Sequence, residues 1–114
     1  MTRKIKIVHH KDGRLAKLNI YVIVGLHDDK TPGEIFLKAD RMGSTISGLL
    51  DALAISISLG LQSGVPLHWY TSKLKNMRFE PSGSTGDSEL RQATSIVDAI
   101  SRWLEIRFKL KEED

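Results

Sequence analysis

Two runs of alternating polar and apolar residues, joined by an Asp-Gly pair, constrain this chain more than any other feature. Residues 4 to 9 read Lys4, Ile5, Lys6, Ile7, Val8, His9, a period-two pattern that suits a strand with one buried face. Asp12 and Gly13 follow, and both residue types tolerate the positive φ of a two-residue hairpin turn. The next run, 15 to 24, sets Leu18, Ile20, Val22 and Val24 on one face against Lys17, Asn19, Tyr21 and Ile23 on the other. The two runs are therefore expected to pair as a long hairpin. Residues 25 to 33, with Asp28, Asp29, Thr31 and Pro32, form a polar connection, and 34 to 38 supply a third strand, completing an antiparallel meander over residues 1 to 40.

Beyond residue 40 the period changes. Ser44 is expected to cap a helix in which Ile46, Leu49, Leu50, Leu53, Ala54, Ile57 and Leu61 recur at helical spacing. A second row, Gly48, Ala52, Ser56 and Gly60, is made of small residues, which let another backbone approach closely, within the chain or across a dimer axis. Gly64 and Pro66 end this helix and start a short one over 66 to 74, where His68, Trp69 and Tyr70 are expected to form a packing corner. A third helix, capped by Ser88 or Asp87, is expected to run to about Phe108 behind a stripe of Leu90, Ala93, Val97, Ile100, Leu104 and Phe108. Residues 109 to 114 read as a charged tail that frays. The expected fold is α+β: an N-terminal antiparallel β-meander of about three strands followed by three helices, in a single domain over 1 to 114 with its helical part at 44 to 108.

Composition narrows the chemistry. The chain has 114 residues and no cysteine, which removes disulfides, thiolate metal sites and thiol nucleophiles together and favours a reduced, cytoplasmic setting. The first six residues carry no apolar leader core, and no stretch is expected to reach the roughly 18 apolar residues of a membrane span, so no membrane partner is expected. The net charge of +3 and pI near 9.3 favour anionic partners without choosing among them. The basic residues are dispersed along the chain, with no zinc finger or RNA-recognition motif, so duplex nucleic acid is not an expected partner. His9 and His10 are adjacent and would point to opposite faces of a strand, His27-Asp28-Asp29 is too short a cluster to fix a coordination shell, and His68 stands alone. No metal, cofactor or catalytic group is expected.

The stretch from 78 to 95 joins a cation, an aromatic and a Ser/Gly/Thr loop to the expected helix start. Those are parts of an anion or nucleotide pocket. Arg78 is a candidate for phosphate, or for an ion pair with Glu80 or Asp87. Phe79 is a candidate for stacking a base, or for plugging the core beneath the loop. Ser82, Gly83 and Ser84 offer amides and hydroxyls to an anion, or form a plain linker. Arg91 and Gln92 would face this loop or solvent, while Arg102, Arg107 and Arg14 are surface arginines that reach a ligand only if the fold or a neighbouring subunit brings them to it.

Three blocks carry a family resemblance: Gly33-Glu34-Ile35-Phe36; the run from Gly48 to Gln62 with Gly64-Val65-Pro66-Leu67; and Arg78-Phe79-Glu80-Pro81-Ser82-Gly83 followed by Ala93-Thr94-Ser95-Ile96-Val97-Asp98. In that order they resemble the carboxyl-terminal domain of cobalamin-dependent ribonucleotide reductases over about residues 13 to 108. The reductase barrel, its cysteines and its cobalamin site have no counterpart here, so a free-standing copy is not expected to reduce ribonucleotides. In size and element order the chain is also similar to the phage anti-Thoeris sponges. These are oligomeric proteins that hold cyclic nucleotide-type signals such as glycocyclic ADP-ribose without cleavage, using aromatic and arginine side chains. The resemblance implies a homo-oligomer that sequesters a cyclic nucleotide signal. The alternatives are a detached reductase tail that docks on a partner protein and a nucleotide hydrolase.

Overall fold

In the first two strands every second residue is buried, and this alternation sets the sheet. The structure, a computed structural model, describes residues 1 to 40 and 42 to 110; the last four residues of the expected charged tail lie outside the described residues. Strand β1 (Thr2–Lys11) pairs antiparallel with β2 (Arg14–Leu26), placing Ile5 opposite Ile20 and Ile7 opposite Leu18. Asp12 and Gly13 make the turn at φ 53° and 76°, the pair of positive values that matches the strands' right-handed twist. Strand β3 (Pro32–Asp40) joins the other side of β2, with Val22 opposite Leu37 and Val24 opposite Ile35. The eight inward apolar residues of these strands are all buried. The strands run further at both ends than the alternation implies: the ends of β1 and the start of β2 are exposed on both faces and carry no period-two signal, while β3 is lengthened through Pro32, Gly33 and Ala39, which lack the bulk of a strand signal.

Helix α1 (Ser44–Gln62) packs along β3 through Leu50, Ala54 and Ile57. Its cap is Gly43 and not Ser44: the first helical bond runs from the Ser47 N–H to the Gly43 carbonyl, 3.1 Å, and no side chain caps the end. Leu49 stays 65% exposed, since it lies one residue, about 100°, around the helix from Leu50. Ile46 is exposed as well. Ser58 seals the free edge of β3, its Oγ accepting from the Ile35 N–H at 2.9 Å and donating to the Ile35 carbonyl at 3.1 Å. By length and composition alone α1 is apolar enough to cross a membrane, contrary to the expectation from the sequence. Only one face of it is held by the core.

Helix α2 (Leu67–Leu74) follows Pro66 as expected. Its buried residues are Leu67 and Thr71, with Tyr70 packed beside them, while Trp69 is exposed and plays no part in the expected corner. The Tyr70 hydroxyl sits where a side chain at Gly60 would begin, 1.7 Å from the ideal Cβ. That end of the small-residue row is therefore used inside the chain, whereas Gly48 meets open space and Ala52 and Ser56 are exposed.

The expected third helix is shorter than its sequence signal. Two short strands, β4 (Gly83–Ser84) and β5 (Gln92–Ala93), precede α3 (Ile96–Phe108), and they extend the sheet to the order β3-β2-β1-β4-β5. The Asp87 cap is real but local: its Oδ1 accepts from the N–H groups of Glu89 and Leu90 at 2.7 and 3.3 Å, and Arg91 at φ 56° then leaves the helical region. Ser95 is the cap of α3, its hydroxyl accepting from the Asp98 N–H at 3.0 Å. The α+β class with N-terminal antiparallel strands and three helices holds, with this small hairpin inserted before the last helix.

The hairpin meets β1 at a point where no side chain fits. A Cβ on Gly83, at φ 156°, would lie 2.0 Å from the Val8 carbonyl oxygen. Gly83→Ala is expected to destabilise the fold by about 2 kcal/mol or more, read as a lowered urea midpoint. The neighbouring Ser82→Ala should leave that midpoint nearly unchanged.

Candidate functional site

The loop between β4 and β5, which follows the Ser82-Gly83-Ser84 segment, spends its amides on itself. Thr85 N–H and Oγ1 both donate to the Arg91 carbonyl, at 2.7 and 2.9 Å, and the Arg91 N–H donates to the Asp87 carbonyl at 2.7 Å. Gly86 N–H donates to Ser84 Oγ and Asp87 N–H to Thr85 Oγ1, at 3.3 and 3.1 Å. The Asp87 carboxylate then fills the remaining cradle, taking Glu89 and Leu90, and pairs with Arg3. The Glu89 N–H, the Leu90 N–H and Arg3 together hold this carboxyl below the usual aspartate range against the smaller cost of burial. An external anion would have to displace a resident one.

A second acidic group organises the other end of the stretch. Asp98, 0% exposed in the first turn of α3, accepts on Oδ1 from the Asn76 N–H at 2.6 Å and Arg102 Nε at 2.8 Å, and on Oδ2 from the Thr94 N–H at 3.0 Å. Burial pushes its carboxyl up, but the Arg102 guanidinium and the Thr94 and Asn76 amides outweigh that and hold it low. Arg102 also donates to the Asn76 side-chain oxygen. Thr94 carries the network outward, its hydroxyl donating to the Met77 carbonyl at 2.9 Å and its own carbonyl accepting from the Phe79 N–H at 3.1 Å. The segment that carries Arg78 and Phe79 is thereby hung on the start of α3.

Phe79 is 41% exposed. It lines an apolar groove of about 330 Å3 with Pro81, Leu18, Val97 and the α1 residues Ile46 and Leu49. Past Glu80 and Pro81 the groove continues into a wider cleft of about 600 Å3 bordered by His9, His10, Lys11, Lys17, Met42 and Ser82. Of the residues singled out from the sequence, Phe79 and Ser82 meet along this depression. Arg78 is exposed and is not among the residues that line it, and Gly83 and Ser84 are tied into β4. Arg102 is taken by Asp98. Arg91 turns its Nε to the Ser88 carbonyl at 3.4 Å, Gln92 is an exposed residue of β5, Arg107 lies 5.4 Å from the ring of its neighbour Phe108, and Arg14 is opposite Lys11 at the hairpin end. Ile46, Leu49, Lys11 and Lys17 were not assigned to a site from the sequence: Ile46 and Leu49 were placed on the apolar stripe of α1, and nothing local links the two lysines to Phe79. Among the described residues no group of three or more His, Asp or Glu side chains is placed to hold a metal ion.

Asp98→Asn is expected to cost about 3 kcal/mol, because Arg102 loses its buried counter-charge and the side-chain NH2 turns toward donors on one of the two sides that the carboxylate served. The folded pKa lies below the unfolded value of about 3.9, so the carboxylate's contribution is complete at neutral pH and is lost as pH falls through about 4 and below. Urea midpoints taken from pH 7 to pH 3 should therefore fall less steeply in the variant than in the parent.

The TSCPD domain model matches residues 2–108. Among curated relatives, the vitamin B12-dependent ribonucleotide reductase of Streptomyces clavuligerus is 50% identical over 88 residues, covering 77% of this chain and 9% of the relative. That of Rhodopirellula baltica is 40% identical over 108 residues, 95% of this chain and 10% of the relative, and that of Bradyrhizobium diazoefficiens 38% over 90 residues, 78% and 7%. The chain thus spans about a tenth of the length of these relatives. No solved structure gives a significant match. The resemblance to the carboxyl-terminal domain of the cobalamin-dependent reductases is borne out, and the chain belongs to the TSCPD domain family.

Proposed function

We propose that this domain is a non-catalytic, self-associating module that holds a nucleotide-type ligand beside Phe79 and sequesters it. In the finer form suggested by the sponge resemblance, it is a phage-encoded protein acting on a cyclic nucleotide immune signal in the host cytoplasm. The observation that supports this most is the change of character along one depression. Its apolar end carries an exposed aromatic ring and a proline, and its other end carries His9, His10, Lys11 and Lys17. A nucleotide has the same division, a flat base at one end and anionic phosphate at the other. Arg78, exposed and next to Phe79 in the chain, offers a further cation.

The test is to incubate the purified protein with glycocyclic ADP-ribose and a panel of cyclic oligonucleotides, remove unbound material, heat-denature and analyse what is released. Intact ligand is expected; altered ligand would make the domain an enzyme, and release of nothing would overturn ligand binding. Phe79→Ala is expected to weaken binding by roughly 1 to 3 kcal/mol in calorimetry while leaving the oligomer unchanged.

Self-association rests on a different observation. Across α1, the outward residues Ala52, Ile55, Ser56 and Leu59 carry no charge, and Ile55 and Leu59 are each 60% exposed, which is unusual for a helix facing only water. Leu59→Asp is expected to shift the protein to monomer in size-exclusion chromatography. If the parent is itself monomeric, this face favours the second reading, a detached reductase-type domain that docks on a partner protein.

A further inference from the structure

The sheet has two faces, and the helices cover one. On the other, the register builds rows across β1, β2 and β3: Thr2, Ile23 and Phe36; then Lys4, Tyr21 and Lys38; then Lys6, Asn19 and Asp40; with Val8 and Lys17 beyond. These residues alternate with the buried set, and none of them is buried. Phe36, opposite Ile23, is 48% exposed, and Tyr21 is its diagonal neighbour on the next strand, a relation that separates Cβ atoms by about 7 to 8 Å. Lys4 Nζ lies 5.9 Å from the centre of the Tyr21 ring, and Lys38 is opposite Tyr21 from the other side. Cations that are dispersed in the sequence are thus gathered around two aromatic rings on one open surface.

We propose that this face binds single-stranded nucleic acid, with Phe36 and Tyr21 stacking successive bases and Lys4, Lys6 and Lys38 contacting the backbone. Two physical points select this occupant. Rings standing on an open antiparallel sheet, with lysines at their flanks, suit unpaired bases, whose faces are available for stacking; in a duplex those faces are hidden. A second copy of the chain is disfavoured on this face, because face-to-face packing brings Lys4, Lys6 and Lys38 toward their own counterparts. Glu34 and Asp40 lie toward the two ends of β3, flanking Phe36 and Lys38, and leave the central row of Lys4, Tyr21 and Lys38 free of carboxylates. This surface is separate from the Phe79 groove and does not depend on the ligand proposed there.

The experiment is fluorescence anisotropy with labelled ten-residue oligothymidylate and oligouridylate, the matching duplex, and polyglutamate as a polyanion control, at several salt concentrations. Single strands are expected to bind more tightly than the duplex or polyglutamate. Affinity should fall about 5- to 150-fold in Phe36→Ala, an exposed position whose folding is checked by circular dichroism. Lys4→Ala and Lys38→Ala should each lower the steepness of the log-affinity against log-salt line by about 0.7. Trp69→Ala, which removes an exposed aromatic on α2 away from this face, should bind oligonucleotides as the parent does. No binding at 50 mM salt overturns the proposal, and so does binding of duplex or polyglutamate at equal strength with no loss in Phe36→Ala, which would reduce the face to a basic patch.

Discussion

The carboxylate of Asp98 is the point on which the second half of the chain depends. A buried, ionised carboxylate is tolerated only when its oxygens are fully engaged, and here one cation and two backbone amides from three separate segments converge on it. Those segments are the exit of α2, the approach to α3 and the second turn of α3 itself. Asn76 adopts φ 69°, a left-handed conformation that asparagine accepts more readily than most residues. This bend brings its amide to Asp98 and its side-chain oxygen to Arg102. The path of residues 77 to 79 follows from that anchor, and so does the outward display of Phe79. The most solvent-exposed aromatic of the proposed groove is held by one of the most deeply buried charges in the molecule.

The sheet solves a different problem, that of its two edges. At β3 the edge is closed by Ser58, a single hydroxyl that both gives and takes a hydrogen bond at Ile35. On the other side β1 is followed only by strands of two residues each, and the loop between them is consumed by Thr85 and Asp87. Very short edge strands offer little to a passing chain. With both edges limited and one face under the helices, the surfaces left for recognition are the open sheet face, the outward side of α1 and the groove where α1 meets Phe79.

Much of this architecture was legible before the fold was seen, for a physical reason. Local alternation fixes which face of β1 and β2 is buried, and the Asp12-Gly13 pair fixes their register, so Ile5, Ile7, Leu18 and Ile20 are placed by sequence alone. Strands β4 and β5 were not legible, because two residues carry no period and their position is set by pairing with Val8, far away in the chain. Asp87 misled for the opposite reason: it has the cap chemistry of a helix start, and it does cap a turn, but Arg91 ends that turn at once. Arg102 and Arg78 show the limit most plainly. Arg78 belongs to a family block and Arg102 lies four residues beyond one, and only the fold tells that Arg102 is committed to Asp98 while Arg78 faces solvent.

That distinction bears on what recognition can use. Arg3 is paired with Asp87, Arg102 with Asp98 and Lys75 with Glu105, so three of the cations closest to the 78-to-95 stretch serve the fold. The cations at the far end of the depression come instead from the β1–β2 hairpin, as Lys11 and Lys17, with His9 and His10 beside them. A ligand reaching from Phe79 to those residues would bridge the helical part and the tip of the hairpin, two regions joined otherwise mainly through the inward face of the sheet. Binding there would draw on hairpin residues that the resemblance to the reductase tail did not single out. The specificity of such binding would then rest on the first 20 residues as much as on the block that marks the family.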